Sequence, residues 1–263
     1  EEMNRFSQVA DYLNYYFTSV NRHSVHSPFI YTLVDKVINN RKKEVAFKVI
    51  EKQRKRLKND QQLIDVIDFG AGTKGEKITK RTIASIAKTS AKPVKYASLL
   101  YRITCHYKPK IMVELGTSFG ISALYQAAGN PDGKLYTLEG NPSSADIAAS
   151  AIANTGNTNI QIIKGKFQDT LPQLLKELPS IDYAFIDGHH QKLPTLEYFN
   201  LLLRKSHKET VFIFDDINWS SEMKEAWTEL KNHPSVRVTV DLFMMGIVYI
   251  NPELSKQDYI IRY

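Results

Sequence analysis

Cysteine is nearly absent from the chain: Cys105 is the only one in 263 residues. That excludes an internal disulfide and any metal site built on several thiolates. The apolar, helical surroundings of Cys105 read as an inert buried thiol. Long apolar runs are missing too; none approaches the roughly 18 residues that span a bilayer. The opening residues, Glu1-Glu-Met-Asn-Arg-Phe6, lack the basic, apolar and small-residue order of a secretory signal. These absences predict a cytoplasmic protein with no membrane partner. A broad basic surface is also lacking, although the formal net charge is +7. Segment 41–60 holds nine Lys/Arg and three Asp/Glu, a balance of +6, which leaves +1 for everything else. The excess reads as the solvated face of one helix, with Val45, Phe47, Val49, Ile50 and Leu57 packing. That argues against a nucleic-acid partner.

What is present is a regular pattern. Residues 1–60 read as helices without strands, with Phe6, Tyr12, Tyr15, Tyr16 and Phe17 on one apolar stripe and a second helix starting at Pro28. From about Pro93, short apolar strands alternate with amphipathic helices. The strands fall at Lys110–Leu115, Lys134–Leu138, Ile160–Ile163, Ile181–Ile186 and Thr210–Phe214. Two further runs, Val236–Phe243 and Ile247–Ile250, read as an antiparallel hairpin meeting at Gly246. Alternation of this kind predicts an α/β fold: a Rossmann-like, doubly wound, mostly parallel seven-stranded sheet with a C-terminal antiparallel hairpin and an N-terminal helical extension. The divisions expected are a helical substrate or lid region over 1–60, a glycine-containing connection over 61–92, and a cofactor-binding core over 93–263.

In open α/β sheets, ligands bind beyond the carboxyl ends of the strands. Glu114-Leu-Gly116-Thr117-Ser118-Phe-Gly120 leaves the first core strand there, and its glycines permit close backbone approach to a ligand. Glu139 ends the next strand, 19 residues after Gly120 and just before Gly140, where an acid can accept hydrogen bonds from ribose hydroxyls. The loop is not the three-glycine pattern of a dinucleotide site. An acid two residues before the first glycine would repel a pyrophosphate. It suits a ligand carrying an ammonium and a sulfonium, which is S-adenosylmethionine (SAM). A better-looking glycine run, Asp68-Phe-Gly70-Ala-Gly72-Thr-Lys-Gly75, has no second strand or ribose acid at the required distance, so it reads as a turn.

Asp187 closes the fourth core strand; Asp215 and Asp216 close the fifth. Neighbouring strand ends lie about 4.8 Å apart, so three carboxylates would converge and repel one another without a cation or a proton. Mg²⁺ (or Mn²⁺) is the cation such oxygens fit. The alternative is that Asp215 or Asp216 caps the helix after Trp219 while Asp187 holds a loop. His189 and His190 follow Asp187, and imidazole can serve as a general base near neutral pH. His23 and His26 read as part of an ordinary helix entry.

Residues 93–250 resemble the O-methyltransferase branch of the class I SAM-dependent methyltransferases, the group with catechol, caffeoyl-CoA and macrocin-type sugar enzymes. Three segments carry the resemblance: Pro109-Lys-Ile-Met-Val-Glu-Leu-Gly116, Gly165-Lys-Phe-Gln-Asp-Thr-Leu-Pro172, and Phe185-Ile-Asp187-Gly-His-His190 taken with Phe214-Asp215-Asp216-Ile-Asn218. It implies SAM contacts from Glu114, Gly116, Thr117, Ser118, Gly120, Glu139, Gly140, Asp187 and, at the adenine edge, Phe167 and Gln168. It also implies metal ligation by Asp187, Asp215 and Asp216, with His190 or His189 as the base beside Asp187. The partner implied is a small hydroxylated molecule, and a homodimer stays open. An RNA or protein methyltransferase docking through 41–60, or a SAM-binding module without catalysis, are the alternatives.

Overall fold

The computed structural model describes residues 5–21, 26–40, 44–68 and 77–263. The glycine run at 70–75 and His23 therefore lie outside the described residues, while His26 directly precedes an ordinary helix start. There Ser27 accepts a hydrogen bond from Ile30 N, and Pro28 occupies the first turn of helix α2 (Pro28–Leu33). No described helix is long and apolar enough to cross a membrane.

The chain forms two compact units, one of Glu1–Arg41, Pro109–Leu115 and Pro172–Tyr263, the other of Lys42–Lys108 and Gly116–Leu171. In the first, β6 (Ile181–Ile186) is almost wholly buried, as an unbroken apolar run in a parallel sheet should be. It pairs in parallel with β3 (Ile111–Leu115) on one side and β7 (Ser206–Asp215) on the other. Antiparallel β9 (Met245–Tyr249) follows, then β8 (Val238–Asp241), giving the expected hairpin. The order within this unit is β10-β8-β9-β7-β6-β3. The Rossmann-like α/β class is therefore as expected, and the sheet carries one strand beyond the expected hairpin. β10 (Gln257–Ile260) adds in parallel to β8; with only Tyr259 buried, it carries no apolar run that could flag it.

The hairpin also turns in a different place from the one expected. Gly246 lies inside β9, opposite Asp241, and a Cβ there would come within 2.5 Å of the Trp227 ring. The turn is made by residues 242–244, with Phe243 in the left-handed region (φ 71°) and its N–H donating to Asp241 Oδ1 at 2.7 Å. Close packing, not the turn, requires this glycine.

Helix α1 (Arg5–Thr18) docks through one aromatic rather than a stripe. Tyr15 is buried and its hydroxyl donates to Ile261 O at 2.6 Å, whereas Tyr12, Tyr16 and Phe17 are exposed. Val20 bridges to Ile261, and the Arg262 guanidinium lies 4.1 Å from the centre of the Tyr16 ring.

In the second unit, β4 (Lys134–Glu139) and β5 (Ile160–Lys164) pair in parallel. Segment 61–92 carries an antiparallel pair, β1 (Leu63–Asp68) with β2 (Lys77–Thr82), followed by α4 (Ile83–Ser90). The core joins Ile50 and Leu57 of α3 (Val45–Asn59), Ile86 of α4, Ala97 of α5 (Val94–Tyr107), Tyr125 of α6 (Ile121–Gly129) and Ile152 of α7 (Pro142–Ala153). Of the five apolar residues expected to pack on the basic helix α3, Ile50 and Leu57 are buried and Phe47 packs against the same core. Val45 and Val49 are exposed, and Arg54 is buried, its Nε donating to Glu51 Oε1 at 2.8 Å and its Nη1 to Lys92 O at 2.6 Å. Tyr125 donates to the same Glu51 oxygen. One of the nine cations of segment 41–60 is thus a structural tie, because a buried guanidinium must be paired.

Candidate functional site

The loop that leaves β3 is shaped mainly by backbone hydrogen bonds of the second unit. Gly116 (φ 104°) and Thr117 both donate from their N–H groups to Leu138 O, at 3.0 and 3.1 Å. The buried hydroxyls of Thr117 and Thr137 meet at 2.6 Å. Ser118 is left-handed (φ 47°), and its N–H donates to Glu139 Oε2 at 2.7 Å. The other carboxylate oxygen, Oε1, accepts from Asn141 N at 2.8 Å. Gly120 (φ 79°) then opens α6. A side chain at 120 would be strained in that conformation and would press on Ala148 and Ile152 at 3.4 Å.

Glu139 therefore tethers the loop on both sides. Asn141 was not anticipated from sequence. Its side chain caps α7 by accepting from Ser144 N, a role that Asn followed by Pro142 announces. Of the other expected contacts, Gly140 is half-buried beside this tether. Phe167 is buried at the start of α8 (Phe167–Glu177), and Gln168 beside it is exposed. Glu114 lies in β3, in the first unit, and is fully buried. Burial, and then the Glu114 carboxylate, push the Tyr183 hydroxyl well above its usual range.

The first unit supplies the titratable cluster. Asp187 follows β6, its N–H extending the ladder to Leu115 O at 2.9 Å. His189 (φ 66°) and His190 (φ 40°) are both left-handed, as is Asp216 (φ 53°) after β7. Such a conformation costs a non-glycine residue on the order of 1–3 kcal/mol and tends to persist at functional sites. Here it turns side chains toward one another. His190 Nε2 lies 3.8 Å from Asp187 Oδ1, and its Nδ1 lies 3.7 Å from Asp216 Oδ2. One ligand atom from each of Asp187, His190 and Asp216 falls within 4.8 Å of the others.

Two expected residues stand apart from that group. Asp215, 1% exposed at the end of β7, is not among the three. His189 turns the other way, its Nδ1 hydrogen-bonded at 2.8 Å to the hydroxyl of Tyr198 on α9 (Lys192–Leu203). Burial, then the neighbouring His190, lower the pKa of His189; burial pushes Tyr198 up to about 12. The capping alternative for the aspartates does not hold. The helix after Trp219, α10 (Ser221–Asn232), is capped by Ser220, whose Oγ accepts from Met223 N at 3.1 Å.

The donors gathered at Asp187, His190 and Asp216 are two oxygens and one imidazole nitrogen. Carboxylates suit Mg²⁺, and an imidazole nitrogen extends the choice to first-row transition ions such as Mn²⁺. A divalent cation thus fits the residues present.

A family model described as a methyltransferase domain matches residues 113–217. An O-methyltransferase of Aspergillus flavus is 28% identical over 134 residues, 49% of this chain and 53% of that protein. Mouse catechol O-methyltransferase is 34% identical over 119 residues, 42% of this chain and 43% of that protein. The chain thus spans about half the length of these relatives. Among solved structures, an O-methyltransferase from Bacillus cereus in complex with S-adenosylhomocysteine (SAH) is 18% identical. It superposes with a TM-score of 0.58 over 84% of this chain and 96% of that one, a likeness of fold. Residues 113–217 thus match a methyltransferase domain, and the fold around them is the one the Bacillus cereus O-methyltransferase has.

Proposed function

We propose that the protein transfers a methyl group from SAM to a hydroxyl of a small molecule, catechol-like or sugar-like, with help from a divalent cation. The observation that carries this reading is the grouping of Asp187, His190 and Asp216 within 4.8 Å at the ends of β6 and β7. The catechol enzyme among the relatives supports a hydroxyl acceptor, and the SAH held by the Bacillus cereus enzyme supports the cofactor.

In this reading Glu139 accepts the ribose hydroxyls while keeping Ser118 and Asn141 in place. Gly116, Thr117 and Gly120 give the backbone its close approach, Gly140 and the Phe167–Gln168 pair border the adenosine, and Glu114 supplies negative charge toward a cationic ligand. SAM would supply an electrophilic methyl on a positively charged sulfur. Asp187 and Asp216, grouped with His190, would hold the cation, whereas Asp215, buried one residue earlier, stands apart from that group. The cation, Mg²⁺ or Mn²⁺, would lower the acceptor hydroxyl's pKa and orient its oxygen. His190 takes the acceptor's proton on a ring nitrogen that has a carboxylate within ion-pair reach. The same reading makes this a cytoplasmic enzyme with a small-molecule partner rather than a nucleic acid.

The test is a panel of catechols and hydroxylated sugars incubated with SAM and Mg²⁺ or Mn²⁺, with methylated product read by mass spectrometry. Excess EDTA should lower turnover by about 10³-fold, the scale of a lost electrostatic stabiliser, while calorimetry shows SAH binding unchanged within about twofold. Turnover that ignores EDTA removes the cation from the reading. SAH binding with no acceptor methylated leaves a binding module, and NAD binding in place of SAH overturns the whole proposal.

A further inference from the structure

We propose that Tyr198 and His189 form a positioning pair that holds the loop between β6 and α9 so that His190 faces Asp187 and Asp216. The inference rests on the reading of that cluster as the acceptor site. It gives His189 a role distinct from that of a base.

The loop needs a hold of this kind. Two consecutive non-glycine residues, His189 and His190, are left-handed, a conformation that L side chains reach only when their surroundings impose it. The start of α9 does not impose it through a cap: Gln191 stands at the N-cap without a side-chain hydrogen bond. Tyr198 does reach the loop. It sits in the second turn of α9, 2% exposed, so its ring is fixed by the core. Its hydroxyl meets His189 Nδ1 at 2.8 Å, and the two rings pack with centroids 5.7 Å apart and planes tilted by 33°.

A rigid phenol thus fixes the His189 ring, and the His189 ring fixes the backbone from which His190 projects. His190 itself has no comparably short bond to the carboxylates, which stand 3.7 and 3.8 Å away. Its aim therefore comes from the backbone. Partners one step removed from a ligand set commonly change metal affinity by roughly 10- to 100-fold, and this pair occupies such a position.

The experiment uses the full chain with the variants Tyr198→Phe, His189→Ala and His189→Asn. Mn²⁺ affinity is read by electron paramagnetic resonance, SAH affinity by calorimetry, and the His190 ring-proton signal by NMR. Tyr198→Phe, which removes only the hydroxyl, should weaken Mn²⁺ binding about tenfold and shift the His190 signal, with SAH affinity unchanged within about twofold. His189→Ala should do the same. His189→Asn tolerates the left-handed backbone and offers an oxygen to the Tyr198 hydroxyl, so it should stay within about threefold of the native chain. The double variant Tyr198→Phe with His189→Ala should lose no more than either alone, since both break one interaction.

A folded Tyr198→Phe chain with native Mn²⁺ affinity and an unmoved His190 signal overturns the proposal. So does His189→Asn failing as badly as His189→Ala. If Tyr198→Phe does not fold, the comparison of the two His189 variants decides. If the native chain takes up no Mn²⁺, the cation reading of the site fails, and the His190 signal alone decides the positioning proposal.

Discussion

The loop that follows β3 and the loops that follow β6 and β7 reach their shapes by opposite means. The first is closed by its own backbone: Gly116, Thr117 and Ser118 all donate into β4, and both oxygens of Glu139 already accept N–H groups at 2.7 and 2.8 Å. The others leave their functional side chains apart, with His190 at 3.7 and 3.8 Å from two carboxylates. Carboxylates held that close together repel unless a cation or a proton lies among them. The loop after β3 is thus closed by hydrogen bonds of its own, whereas the acidic cluster gathers two carboxylates around an imidazole at longer range. Geometry should therefore govern SAM affinity, and side-chain chemistry should govern rate.

That contrast can be broken by two substitutions. His190→Ala should lower kcat by about 10²-fold, the usual effect of a lost general base, with the KM for SAM nearly unchanged. A KM effect as large as the kcat effect would mean that the cluster also shapes the cofactor site. Glu139→Ala should weaken SAH binding by at least about tenfold, because hydrogen bonds to a charged group are worth roughly 1.5–3 kcal/mol and the left-handed Ser118 loses its tether. Its kcat at saturating SAM should change much less. Calorimetry and steady-state kinetics on both variants check the pair.

The same contrast explains what the sequence could disclose. The loop after β3 was legible because backbone geometry leaves a trace in glycine, and because Glu139 ends the next strand 19 residues after Gly120. The strand-end acids were equally visible, since Asp187, Asp215 and Asp216 each follow an apolar run. Their grouping was not. His190 joins Asp187 and Asp216 through left-handed backbone at His189, His190 and Asp216, residue types that visit that region more often than most but too seldom to announce it. Tyr198 looks like any core aromatic of a helix, and only the folded chain brings its hydroxyl to His189. Elsewhere, Gly246 was visible but its reason was not, because Trp227, which requires it, is 19 residues away in sequence. β10 escaped because three of its four residues face solvent.

The smallest expected effect sharpens the comparison from outside the matched domain. Ser90, the last residue of α4, places its Oγ 2.9 Å from the Ser118 Oγ of the loop after β3. Through it segment 61–92, which precedes the matched residues 113–217, touches that loop with a side-chain hydrogen bond. The contact is exposed, so each hydroxyl can exchange its partner for water, and the net value of such a bond is about 0.5–1 kcal/mol at most. Glu139 holds the same residue through its backbone N–H and a charge, which water replaces poorly. Ser90→Ala should therefore weaken SAH binding by no more than about two- to fivefold, far less than Glu139→Ala. A tenfold loss in calorimetry would mean that α4 shapes the cofactor loop as strongly as β4 does, and that the loop is not closed by its own unit's backbone alone.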